Sequence, residues 1–201
     1  IVGKFVGTKG LAAVGATGTI TFLIIGFLMG VTTGVTVLTS QKFGAGRMDE
    51  MRKTVGNAAI LSAVIAVVMT AVSMLGMHRL LVFMHTPEDI FDGAYGYIMI
   101  ICAGIFTQVL YNLVSSILRA LGNSKTPLYF LILAAGLNIV LDLVFIIFFH
   151  WGAPGAAWAT VISQGVSGVL CLIYMWKAVP ELKMKKEDWY FNRDIAVKQI
   201  S

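Results

Sequence analysis

Asp142 is the carboxylate that stands alone inside a long apolar stretch of this 201-residue chain. A charge at the centre of a bilayer costs about 2.5–3.5 kcal/mol on insertion scales, so such a group must face a protein interior or a water-filled cavity. There it serves either as a hydrogen-bonded acid that glues helices or as a group that gains and loses a proton or cation. Asn138 lies four residues earlier, on the same helical face. Asp142 precedes Trp151 by nine residues and Thr160 follows it by nine. A turn centred at Trp151 would place both about 13 Å below it, at 1.5 Å per helical residue, and facing one another. Ser163, Gln164 and Ser167 continue a polar stripe from Thr160, and Gln108, Asn112, Ser115 and Ser116 form a similar line elsewhere. Any single hydroxyl can bond back to its own helix. Three polar lines at one depth nevertheless point to an internal, partly hydrated cavity, with Gln108, Asn112, Ser115, Ser163 and Gln164 as candidate lining.

The elements that must position these residues are membrane helices. The chain is 58% hydrophobic and 12% charged, with a mean hydropathy of +0.85. Soluble domains carry about a quarter charged residues. No Asp, Glu, Lys or Arg occurs in residues 10–41, 54–77, 93–118 or 153–176, and 126–151 holds only Asp142. About 20 apolar residues cross a bilayer, so five complete spans are expected. Residues 1–6 begin apolar, without an initiator Met or a basic leader, and read as the stub of a sixth span in something longer. The expected fold is therefore all-α and membrane-embedded: a transmembrane lobe over 1–178 and a polar linker over 179–201.

The formal charge of +5 does not indicate nucleic acid, because the basic residues sit in alternate loops. Of the 15 Lys and Arg, all but Lys4, Lys9 and Arg79 follow the first, third and fifth complete spans. Basic loops stay in the cytoplasm. A multi-pass protein of the cell's inner (plasma) membrane is expected, with its basic loops and linker cytoplasmic and 84–92 and 149–154 outside. Arg52 and Lys53 would snorkel to lipid headgroups. Thr86 and Thr126, each followed by Pro, read as helix caps.

Gly26, Gly30 and Gly34 recur every fourth residue in the first complete span. Such a strip lets a neighbouring helix approach closely, and could also let helices slide or bend. Cys102 and Cys171 both lie in apolar spans and read as small buried hydrophobes. His78 and His85 flank an external helix end and are assigned no role. No catalytic dyad, metal-ligand spacing or phosphate-cradling loop is present, so neither an enzyme nor a resident cofactor is expected.

Several motifs carry a family resemblance. Leu11-Ala12-Ala13-Val14-Gly15, Thr39-Ser40-Gln41-Lys42-Phe43-Gly44-Ala45-Gly46 and Leu118-Arg119-Ala120-Leu121-Gly122-Asn123-Ser124-Lys125-Thr126-Pro127 occur in that order. Leu137-Asn138-Ile139-Val140-Leu141-Asp142 and Gly155-Ala156-Ala157-Trp158-Ala159-Thr160 follow. Together they resemble the amino-terminal lobe of a multidrug and toxic-compound extrusion (MATE) exporter, from the tail of helix one through helix six. The resemblance implies a V-shaped, 12-helix parent, working as a monomer, with a carboxy-terminal lobe missing here. It implies export of small lipophilic cationic or amphipathic compounds against inward H+ or Na+. In the branch similar to DinF it implies a cation site in which Asn138, Asp142 and Thr160 match an Asn and an Asp on helix five and a Thr on helix six. That branch also uses an acid on helix one, in a stretch this sequence lacks. A lipid-linked oligosaccharide flippase of the same superfamily is the alternative; it would want a basic cavity, and the uncharged spans carry no Lys or Arg. A non-transporting scaffold is the remaining reading, against which the midplane Asp, Asn and Thr speak.

Overall fold

The computed structural model describes residues 2–183 and 186–200; Lys185, among the basic tail residues above, lies outside them. A short turn, α1 (Val2–Phe5), leads into α2 (Thr8–Gly44) and α3 (Met48–Phe83). The chain continues through α4 (Glu88–Ala103), α5 (Ile105–Ala120), α6 (Lys125–Leu143), α7 (Gly152–Ala178) and α8 (Arg193–Ile200). The fold is all-α. Four stretches are each long and apolar enough to cross a membrane: α2, α3, α7, and α6 with the turn that continues it. The pair α4 and α5, bent by 46°, passes the same test when taken together, which gives up to five spans. Side chains such as Phe22 (76% exposed), Leu75 (83%) and Phe148 (80%) face outward where lipid would lie.

Helices α2 and α3, of 37 and 36 residues, are each about 55 Å long. The hydrocarbon core is only about 30 Å thick, so these helices stand well proud of it. Both tight turns at the basic end use glycine in the left-handed region, Gly46 (φ 70) and Gly122 (φ 82). In each, the next residue's N–H reaches back to the carbonyl of Lys42 or Leu118, which satisfies the last carbonyls of the helix. On the opposite side His85 takes that conformation without being glycine (φ 53). The expected caps differ. Pro87 itself occupies the N-cap of α4, and no side chain caps it. At α6 it is Asn123 Oδ1 that accepts the Thr126 N–H, at 3.1 Å.

The third span is not straight, and its break has a packing cause. A Cβ on Gly104, the residue between α4 and α5, would overlap the Val161 side chain of α7. Gly165 meets Thr107, and Gly168 meets the Tyr111 backbone, at 3.3 Å from where a Cβ would stand. The close-packed seam of this lobe therefore runs along α7. The strip of Gly26, Gly30 and Gly34 does not serve as that seam: a Cβ on any of them would meet nothing within 4 Å. The buried face of α2 carries Ile24, Leu28 and Thr32. Each strip glycine lies two residues further on, about 200° round the helix.

After α7 the chain folds back onto the basic ends of α2 and α3. Asn57 Nδ2 donates to Gln199 Oε1 at 2.7 Å, and Asn57 Oδ1 accepts the Asn192 N–H at 3.1 Å. Gln199 Nε2 donates to the carbonyls of Val35 and Thr54, both at 2.9 Å. Asn57 and Gln199 are buried. Arg52 pairs with Asp49 and lies 3.7 Å from Asp188. It thus turns towards the tail rather than the headgroups, because Asp188 is buried and a buried carboxylate demands a cation.

Candidate cation-coupling site

Asn138 and Asp142 lie one turn apart on α6, and Thr160 lies on α7, the helix against which α6 packs. Asn138 Nδ2 donates to Thr160 Oγ1 at 3.3 Å, and that hydroxyl donates to its own helix at Ala156 O, 3.0 Å. Thr160 therefore sits opposite Asn138, one turn deeper than the expected partner Asp142. Part of the cause lies between Asp142 and the turn. Residues Val144–Phe148 form a π-helical turn, which takes more residues per turn than an α-helix. The α6 arm of the hairpin consequently uses more residues to reach the same depth, and the pairing slides towards the N-terminus. Asp142 is half-buried, and its Oδ1 is buried with no hydrogen bond to the chain among the described residues.

Asn138, Thr160, Ser163 and Gln164 line one recess of about 170 Å³, closed by Leu131, Ala134 and Ala135. Gln164 Oε1 is also buried without a hydrogen bond among the described residues. Four side chains there offer oxygen atoms, which suits a hard cation. The space is well below the roughly 300–1,000 Å³ of drug-sized pockets. Gln108, Asn112 and Ser115 are buried on α5 and are not among the walls of this recess. Ser116 opens instead into a separate hollow between α2 and α5 at the basic end, beside Arg119. The three polar lines therefore divide between different places.

The MatE family signature matches residues 1–144. This chain belongs to the MatE family. The probable multidrug resistance protein YpnP of Bacillus subtilis is 33% identical over 176 residues, covering 88% of this chain and 40% of that protein. A solved outward-facing conformation of a multidrug resistance MATE family transporter of the MOP superfamily superposes with a TM-score of 0.91 at 26% identity. It covers 99% of this chain and 44% of that one. The inward-facing conformation gives 0.88 at 27%, over 96% and 44%. The MatE chain described here thus spans about two fifths of the length of the relatives it matches, which fits a single lobe.

Proposed function

We propose that this MatE lobe belongs to a secondary active exporter that antiports cationic or amphipathic compounds against inward protons or sodium. One observation carries the reading. Asp142 Oδ1 is buried within a membrane span without a hydrogen bond from the described residues, one turn from the Asn138–Thr160 contact. A carboxyl fixed as structural glue would have its partners in place; one left open suits a visiting proton or cation. Neutralising Asp142 removes the penalty on a buried charge and lets α6 repack on α7. The π-helical turn beside it supplies a place where α6 can change its winding. Differential affinity of the ion for two packings then drives the exchange between them. The drug-sized substrate would bind elsewhere, between this lobe and a second, carboxy-terminal one.

The test is efflux of a fluorescent lipophilic cation from cells expressing the protein at its full natural length, under imposed proton or sodium gradients. Wild type should export under one gradient, and Asp142→Asn should not, at equal membrane abundance. Normal coupled efflux by Asp142→Asn would overturn the assignment. Failure of wild type under every gradient would turn attention to lipid-linked substrates.

A further inference from the structure

At the basic end, the last turn of α7 and the folded-back tail enclose a cleft of about 470 Å³, lined by Trp176, Lys177, Lys183 and Trp189. Its position is fixed from behind. The tail is held to α2 and α3 by the Asn57 and Gln199 amides, and Asp188, next to Trp189, is buried beside Arg52. No carboxylate is among the lining side chains of the described residues. Both indoles are about half exposed or more, although large apolar side chains facing water are disfavoured. They sit where a membrane helix ends, and tryptophan at such a place lies at the level of the lipid headgroups. Two ammonium groups beside them, Lys177 and Lys183, complement a phosphate.

We infer that this cleft binds the headgroup of an anionic phospholipid from the leaflet facing the basic loops. Lys177 and Lys183 take the phosphate, and Trp176 and Trp189 flank the glycerol and the upper acyl chains. The inference needs only a bilayer around the bundle and stands whether or not the protein exports drugs.

The test uses the purified full-length protein in detergent. Binding of phosphatidylglycerol is followed by native mass spectrometry and by the rise in melting temperature. Wild type should bind phosphatidylglycerol in preference to phosphatidylcholine. Lys177→Gln/Lys183→Gln should bind it at least about tenfold more weakly, whereas Lys177→Arg/Lys183→Arg keeps the affinity. A control of equal charge loss, Lys53→Gln/Lys125→Gln, removes two exposed lysines at the same end and should leave binding as in wild type. The inference is overturned if phosphatidylcholine binds equally, if inorganic phosphate gives the same stabilisation, or if the control loses as much affinity. Should Lys177→Gln/Lys183→Gln not purify, a salt titration of wild type decides. About 1 M salt screens charges beyond about 3 Å and should release the lipid, and retention would count against the site.

Discussion

At the basic end of the bundle, both ends of the Asn57 and Gln199 amides are engaged, with partners on α2, α3 and the tail. Between α6 and α7 the standard is different. Asn138 and Thr160 share one hydrogen bond of 3.3 Å, while Asp142 Oδ1 and Gln164 Oε1 have none among the described residues. Both clusters consist of small uncharged polar groups with, at most, one acid. A buried polar group without a partner costs about 1–3 kcal/mol. Evolution of a stable bundle alone would remove that cost, as it has for the Asn57 and Gln199 amides. On the proposed function, the difference separates a cluster that holds the molecule in one shape from one that takes up an ion.

The sharpest way to break this contrast is to truncate one member of each cluster and read stability separately from activity. Asn57→Ala strands the Gln199 carbonyl and the Asn192 N–H, and should cost about 2 kcal/mol or more, seen as a lower melting temperature. Asn138→Ala removes a single long bond inside the membrane, and such bonds average about 0.6 kcal/mol. Its melting temperature should hardly move while gradient-driven efflux falls to background. If Asn138→Ala were the less stable of the two, the α6–α7 cluster would be structural after all.

Between these effects lies the pair of glycine sites. Gly104→Val must push against Val161, a stiff branched side chain, and overpacking of this kind costs about 1–3 kcal/mol. Gly30→Val, with nothing within 4 Å of its Cβ, should leave the melting temperature of this lobe unchanged. A large effect of Gly30→Val on the full-length protein but not on the lobe would place the contact of α2 in the remaining chain.

The spans were legible because charge is excluded from lipid: residues 10–41 or 153–176 can hardly be anything but helices in a bilayer. The singular placement of Asp142 inside a span was legible for the same reason, as was its neighbour Asn138 by helical spacing. Other features depend on contacts that spacing cannot reveal. Gly104 is one of 21 glycines, and its meaning lies in Val161, more than fifty residues away on another helix. The strip on α2 had the right period but the wrong azimuth, since period says which residues share a face and not what that face meets. The depth arithmetic assumed a uniform rise, and the π-helical turn at Val144–Phe148 broke that assumption. Asn57 was passed over in an otherwise apolar run because its partners come from the polar tail, where the sequence shows only a linker.

The central place of α7 bears on how the protein is made. Helix α6 packs on α7 and touches α5 only slightly, yet α7 is the last of the five spans to leave the ribosome. Until Ala178 has been added and α7 has entered the bilayer, α6 has no broad partner, and an Asp142 turned to lipid would carry a penalty of about 2.5–3.5 kcal/mol. A chain that stalls in the turn before Gly152 is thus left with a span poised to slip out of the membrane, and quality control could recognise that state by its exposed acid.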